Sequence, residues 1–148
     1  MNVLHASADI EVVAWDTVEK LKRLAEQHAS RRSRLCLHRG PQDLTHEMII
    51  VAHASTYIRP HRHPREKSES YHVIEGKMEI RLFDENGRVQ RVVTLTCGPG
   101  GTFMYRMTNG WWHQPVPKTE WLVYHETYSG PFDKGIDVQY APWAPEEA

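Results

Sequence analysis

Apolar positions recur with a helical period near the start of the chain. Between residues 16 and 29 they return every three or four positions, which places them on one face of an amphipathic helix. The residues on that face are Val18, Leu21, Leu24, Ala25 and His28. Asp16, followed three residues later by Glu19, fits an N-cap with a capping box. The pattern therefore predicts one α-helix over residues 16–29.

Beyond the helix, the apolar positions alternate with polar ones, as in half-buried β-strands. In residues 77–83, Met78, Ile80 and Leu82 alternate with charged side chains, and Asp-Glu-Asn-Gly at 84–87 predicts a hairpin turn. The other strand-like segments are 32–38, 44–54, 88–96, 102–107, 112–116 and 121–128, with a Gly-Pro-Gly-Gly turn at 98–101. Many short strands with Gly and Pro turns predict an all-β barrel or sandwich preceded by one helix.

Composition and charge narrow the class of protein. The 148 residues suffice for one domain with its own core, and the net charge of −1 argues against a nucleic-acid partner. No apolar run approaches the ~18 residues of a membrane span, and the N-terminus lacks the basic region of a signal peptide. Cys36 and Cys97 have no CxxC spacing, so we expect two buried thiols in a reducing compartment. The expectation is a soluble cytoplasmic domain without membrane or nucleic-acid partners.

Ten histidines direct attention to metal or proton-transfer chemistry. His61 and His63 stand two positions apart, so on a strand their side chains share one face and can hold one ion. Glu69 follows, with six residues between it and Gly76, and His113 comes much later in a Gly-Trp-Trp-His sequence. Three imidazoles and one carboxylate form a nitrogen and oxygen ligand set that suits Fe, Mn, Ni, Co or Zn.

This spacing resembles the first motif of the cupin superfamily, in which HxH is followed by Glu, six residues and Gly. His113 stands where the second cupin motif has its histidine. Five residues separate His63 from Glu69, where cupins usually have three or four, and the usual Pro-x-Gly-x-x-His is replaced. Glu66 is the alternative carboxylate, but only Glu69 is separated from a glycine by six residues.

A narrower resemblance extends over most of the chain. The segments that carry it are RSRLCLH (32–38), HEMIIVA (46–52), YIRPHRHPREKSES (57–70), VIEGK (73–77), FDENG (83–87), WWH (111–113), ETYSGPF (126–132) and APWAPEE (141–147). They resemble the WbuC-type cupin-fold metalloproteins, which are associated with O-antigen and other surface-polysaccharide gene clusters. The resemblance implies a cupin double-stranded β-helix, or jelly-roll barrel, that binds one divalent transition metal ion. Its implied ligands are His61, His63, Glu69 and His113.

We expect an N-terminal helical extension over residues 1–33, a cupin barrel over 34–130 and an extended tail over 131–148 that packs on the barrel. Cupin barrels usually pair with a copy of themselves, and short N-terminal strands often cross to the partner sheet. Residues 32–38 fit that role and predict a homodimer. The basic residues Arg31, Arg32 and Arg34 are interpreted as a solvated linker, with a partner-binding patch as the alternative.

Together, the ligand set and the family resemblance imply three candidate functions, and the resemblance alone implies the sugar substrate. The first is a metal-dependent, isomerase-like enzyme for a small polar or anionic substrate, such as a sugar or sugar nucleotide of surface-polysaccharide metabolism. The alternatives are an iron-dependent oxygenase of a small acid and a non-catalytic module that binds metal or sugar. The pocket candidates are Tyr57, Arg59, Tyr71 and Tyr105, with Glu126 as a further group for proton transfer. Arg59 and Lys67 are cations near the ligands that would suit a carboxylate or phosphate.

Overall fold

The computed structural model, which describes residues 2–147, is built around two facing β-sheets. The strands are β1 (Asn2–His5), β2 (Arg32–Cys36), β3 (Thr45–His53), β4 (His61–Arg62), β5 (Glu69–Glu75), β6 (Lys77–Phe83), β7 (Val89–Thr96), β8 (Met104–Met107), β9 (Trp112–Pro117), β10 (Trp121–Ser129) and β11 (Gln139–Tyr140). The helices are α1 (Trp15–Glu26) and the single turn α2 (Lys134–Asp137). The predicted all-β fold with an N-terminal helix is confirmed.

The strands form one six-stranded and one five-stranded sheet. The six-stranded sheet has the order β1-β2-β3-β10-β5-β8, and the five-stranded sheet has the order β11-β4-β9-β6-β7. The β1–β2 pair is parallel, and the other pairs are antiparallel. Strands from both sheets bury their alternate side chains between them. Met78, Ile80 and Leu82 of β6 belong to this core, as their alternation predicts.

Helix α1 packs on the outside of the six-stranded sheet. Val18, Leu21 and Ala25 are buried against β2 and β3, which confirms the predicted apolar face. Most of the stabilisation of such a helix comes from this packing, because twelve residues form a marginal helix in water.

The ends of α1 differ from the prediction. Ala14 is the N-cap and makes no side-chain cap bond, whereas the Asp16 carboxylate accepts a hydrogen bond from the backbone of Thr17 at 2.8 Å. The capping box is therefore wrong, since Asp16 lies inside the helix. At the other end the helix stops at Glu26, and Arg31 takes a left-handed conformation with φ 51° before β2 begins.

Strand β2 separates the helix from the interior of the barrel. Its register pairs it with β1 on one side and β3 on the other, so both of its edges are occupied by its own chain. This pairing replaces the expected crossing to a partner sheet, and the homodimer stays a prediction. Arg32 and Arg34 lie within this strand, so their interpretation as a solvated linker is wrong.

Both ends of the chain add strands to the barrel. Residues 2–5, expected within a helical extension, form β1, and residues 139–140 of the tail pair with β4. The prediction of two buried thiols holds for Cys36 and is wrong for Cys97, which is exposed after the end of β7. Within residues 2–147, neither helix has the length and apolar character needed to cross a membrane.

Candidate metal centre

Three histidines and one glutamate meet between the two sheets. His61 lies on β4, His63 follows that strand directly, Glu69 begins β5 and His113 lies on β9. Pairing of β4 with β9 sets His61 opposite His113. One ligand atom from each of the four residues lies within 4.8 Å of the other three. The structure therefore brings together the four side chains that the sequence motif singled out, whereas Glu66 is exposed and outside the group.

Backbone carbonyls orient the three imidazole rings. Each ring places its Nδ1 atom at hydrogen-bonding distance from a carbonyl oxygen. The pairs are His61 with Arg59 (2.9 Å), His63 with Asp137 (2.7 Å) and His113 with Trp111 (3.0 Å). Because a carbonyl only accepts, each Nδ1 carries a proton and each Nε2 is left to face the centre. Metal-binding histidines are commonly oriented by such a bond from the second ring nitrogen.

The Glu69 carboxylate lies among these rings. Its Oε2 is 2.9 Å from Nε2 of His63, and its Oε1 is 3.1 Å from Nε2 of His113. Tyr105 donates its hydroxyl hydrogen to Oε1 at 3.4 Å. Burial raises the pKa of Glu69, but the neighbouring His113 and His63 outweigh burial and hold that pKa well below its usual value. Glu69 is therefore ionised at neutral pH.

The same environment separates the pKa values of two of the rings. Burial, together with the nearby His113 and His63, lowers the pKa of His61 to about 3. Burial also lowers the pKa of His63, but its hydrogen bond to Glu69 and the charge of that carboxylate outweigh it, so the pKa rises to about 9. Without metal, His63 and Glu69 therefore form a buried ion pair beside a neutral His61.

The donor set fits a divalent transition metal ion. Nε2 of His113 is buried and makes no hydrogen bond within the described residues, because its approach to Glu69 lacks the required geometry. A buried polar atom without a partner costs roughly 1–3 kcal/mol. A cation among the three Nε2 atoms and the carboxylate would remove that cost and would also replace the proton on His63.

A cavity of about 460 Å³ opens beside the group, within the usual range for small-molecule sites. His61, His63 and Glu69 form part of its wall. The inner face of the six-stranded sheet forms much of the rest. The side chains that it contributes include Arg32, Arg34, Cys36, Ile50, Tyr71, Tyr124, Glu126 and Tyr128. The cavity thus connects the candidate metal ligands with tyrosines, with the carboxyl groups of Glu126 and Glu147, and with three arginines, Arg32, Arg34 and Arg39.

Two of the four predicted pocket residues lie next to the group. Tyr71 lines the cavity, and its ring centre is 5.1 Å from that of Tyr105, which contacts Glu69. Burial, followed by the charge of Glu69, raises the pKa of both phenols well above their usual value. Both tyrosines therefore keep their protons at neutral pH.

The other two contact the C-terminal tail. Tyr57 donates to the Pro145 carbonyl at 2.8 Å, and Arg59 donates to the Ala141 carbonyl at 2.9 Å. Neither lines the cavity. Strand β4 begins only at His61, so the alternation that would place these two residues beside the histidines does not extend back to them.

The cations of the site also differ from the prediction. Lys67 forms an ion pair with Asp137, with its Nζ atom 2.5 Å from Oδ1. Arg32 and Arg34 line the cavity instead. The period of two in the RSRLCLH segment could have identified them, because on a strand these arginines share the face of Cys36.

Glu126 lies on β10 directly opposite Tyr71. It was a candidate for proton transfer, and it lines the cavity. Burial and the nearby charge of Glu69 raise its pKa to about 8. The cavity therefore holds two carboxyl groups of different protonation state, with Glu69 ionised and Glu126 protonated at neutral pH.

The fold is similar to that of several solved structures. Protein SO0799 from Shewanella oneidensis superposes with a TM-score of 0.64 at 12% identity, covering 82% of each chain. A cupin 2 domain-containing protein from Halorhodospira halophila gives 0.52 at 21% identity, covering 66% of this chain and 63% of that one. Oxalate decarboxylase from Bacillus subtilis gives 0.53 at 15% identity over 67% of this chain, which spans only 24% of the decarboxylase. At these identities the likeness shows the cupin fold alone.

Among curated proteins, none matches the sequence. A family model described as a domain of unknown function, DUF6016, matches residues 13–95, which is more than half of the chain. That stretch includes α1, β2 and the segment with His61, His63 and Glu69. The chain therefore belongs to the DUF6016 family, and its fold is that of the cupins.

Proposed function

We propose that this protein is a cytoplasmic metal-dependent cupin with isomerase-like activity. Its substrate is a small polar or anionic molecule, such as a sugar or sugar nucleotide of surface-polysaccharide metabolism. The observation that carries the proposal is the convergence of three Nε2 atoms and the Glu69 carboxylate on the wall of a 460 Å³ cavity. The resemblance of the sequence to the WbuC-type cupins supports the substrate class.

His61, His63, Glu69 and His113 would hold the metal, whose chemistry is to polarise a carbonyl or hydroxyl oxygen of the substrate. The carbonyls behind the rings fix the direction of each Nε2, so the site needs little rearrangement to bind an ion. Enclosure between the two sheets excludes bulk water from one side of the group, since His113 and Glu69 are almost fully buried.

Glu126 is positioned to move a proton within the cavity. Isomerisation of a sugar requires that one atom of the substrate lose a proton and another gain one. A carboxyl group with a pKa of about 8 can do both near neutral pH, because proton transfer is most efficient when the pKa lies close to the working pH. Tyr71 lies opposite and keeps its hydroxyl proton, so it orients substrate oxygens by donating a hydrogen bond.

The proposal is tested by elemental analysis of protein purified without added metal. We expect about one zinc or manganese ion per chain, given the four-residue donor set. H113A is expected to lose the ion. H72A is the matched control, because His72 is an exposed histidine on β5, the strand of Glu69, and faces away from the group.

The outcomes separate the candidate functions. Stoichiometric iron would favour the oxygenase of a small acid over the isomerase. Absence of metal from the wild-type protein, or equal metal content in H113A and H72A, would contradict the metal centre itself. Metal retained without turnover or binding of any sugar would leave a non-catalytic metal-binding module.

A further inference from the structure

Strand β2 presents two arginines to the cavity wall. Ser33 and Leu35 point to the other side of the sheet, where the Ser33 hydroxyl donates to the Leu21 carbonyl at 2.6 Å and Leu35 packs beside α1. Since neighbouring side chains of a strand face opposite ways, Arg32 and Arg34 turn inward, and both line the cavity.

The charge of Arg34 lacks an acidic partner. Among residues 2–147, no carboxylate oxygen lies within 4.0 Å of its side-chain nitrogens, and its Nε atom is buried without a hydrogen bond. Arg32 also has a buried Nε without a hydrogen bond, and its Nη2 atom is 3.5 Å from the Glu147 carboxylate. A buried Nε donor without an acceptor is unfavourable, so an anionic ligand that accepts hydrogen bonds from these arginines would be stabilised at this wall.

The surroundings favour a strong interaction with such a ligand. Ile50 is the cross-strand partner of Arg34 and Tyr124 follows on the next strand, while Cys36 and Glu126 also lie near the guanidinium in this wall. A guanidinium group binds carboxylate or phosphate through two parallel hydrogen bonds, and exclusion of water strengthens them.

The strand register separates the arginines from the candidate metal centre. Arg34 pairs with Ile50, Ile50 with Tyr124, and Tyr124 with Val73, which lies on the same strand as Glu69. Three steps across a sheet correspond to about 14 Å between backbones. Because the side chains cover part of that distance, a ligand that contacts both the arginines and the group of four must span the remainder.

We infer that Arg34, with Arg32 beside it, binds the carboxylate or phosphate of an elongated organic anion whose other end reaches the group of His61, His63, Glu69 and His113. This inference rests on the proposed function and specifies its substrate class as an anionic sugar rather than a neutral one. The single charged group is held at the β2 wall, and the reacting oxygens lie at the opposite wall.

Three probes of similar size test the inference. Glucose, glucuronate and glucose 6-phosphate differ in whether they carry no charge, a carboxylate or a phosphate. Binding is measured by calorimetry on zinc-loaded and on metal-free protein. We expect at least one anionic sugar to bind about tenfold more tightly than glucose, because a hydrogen-bonded charge is worth that factor or more. The tighter of the two anions identifies the group that the arginines prefer.

Variants assign the preference to Arg34. R34Q is expected to bind the anionic sugar no more than about twofold more tightly than glucose, with an unchanged zinc content. R34K keeps the positive charge but cannot form the two parallel hydrogen bonds of a guanidinium group, so it should retain only part of the preference for the anionic sugar. R81Q is the matched control, because Arg81 lies on the outer side of β6 and pairs with Glu79.

The experiments distinguish failure of this inference from failure of the proposed function. If the wild-type protein fails to bind zinc, the metal centre is wrong, but the anion preference of the metal-free protein still tests Arg34. If R34Q does not fold, as judged by circular dichroism, R34K decides. A wild-type protein without anion preference, or full preference in R34Q or R34K, would overturn the inference.

Discussion

Binding of a metal ion to this site should release one proton from His63. Without metal, Nε2 of His63 donates to Glu69 at 2.9 Å, and the pKa of the ring is raised to about 9. A metal ion needs that same nitrogen deprotonated, so ion and proton compete for it. His61 and Glu69 need not lose a proton, because the pKa of His61 is about 3 and that of Glu69 is well below its usual value.

The magnitude follows from this competition. Below the pKa of His63, each unit of pH raises the deprotonated fraction of the ring about tenfold, so zinc affinity should increase about tenfold per unit. Between about pH 7 and about pH 8.5 the increase is roughly 30-fold, and it should level off above the pKa of about 9. Stability of the metal-free protein changes in the opposite direction. The His63–Glu69 ion pair contributes fully below pH 6.5 and is lost as the pH rises through about 9.

The assay is calorimetric titration with zinc against a competing chelator at several pH values. Repeating the titration in buffers with different ionisation enthalpies gives the number of protons released when zinc binds. E69Q removes the carboxylate that raises the pKa of His63, so its proton release at about pH 8 should fall towards zero while its affinity also falls. Thermal unfolding of the metal-free protein supplies the second readout, since its melting temperature should decrease towards high pH.

The reasoning is refuted if zinc affinity stays constant across that pH interval, or if the calorimetric count is zero protons. An equal proton count in E69Q and wild type would show that Glu69 does not set the pKa of His63.

Three further predictions concern single residues. E69Q should lower zinc affinity sharply whereas E66Q should leave it unchanged, as measured by the same titration, because only Glu69 lies within the group; the reverse result would assign the carboxylate to Glu66. H113A should lower zinc affinity by about 100-fold or more yet keep a cooperative melting transition, since the domain has its own core; loss of the transition would make His113 structural. G76A should destabilise the fold by about 2–4 kcal/mol in chemical unfolding, because φ is +83° and a Cβ atom would lie 2.3 Å from a backbone oxygen. G40A, with nothing within 4 Å, should change stability little, and equal effects of the two would contradict this account.

Strand positions were predictable where a sharp alternation met a strong turn. Residues 77–83 form β6 as predicted, because Met78, Ile80 and Leu82 must share the buried face. The helix was predictable from its apolar face but not at its ends. Asp16 fits a cap in sequence, yet burial of Val18 against the sheet sets where the helix begins.

The four members of the candidate metal centre were predictable because His61 and His63 are two positions apart, six residues separate Glu69 from Gly76, and His113 stands in place of the histidine of the second motif. The function of the arginines was not, since a basic run at the end of a helix is equally compatible with a solvated segment. The alternation of the segment puts Arg32 and Arg34 on one face, and packing of Ser33 and Leu35 against α1 turns that face inward. Tyr57 and Arg59 were expected on the same strand face as His61 and His63. Strand β4 begins only at His61, so the alternation of side chains does not extend back to them.

The distribution of the candidate ligands over both sheets determines when a metal ion can be acquired. Glu69 belongs to the six-stranded sheet, while His61 and His113 belong to the five-stranded one. The complete set therefore exists only after the two sheets have come together, so an ion that needs all four ligands would be bound by the finished barrel. The ion found in a purified sample consequently reflects the metals accessible to the folded protein and the rate at which they exchange through the cavity. Material grown in media of different metal content should be compared before the native ion is assigned.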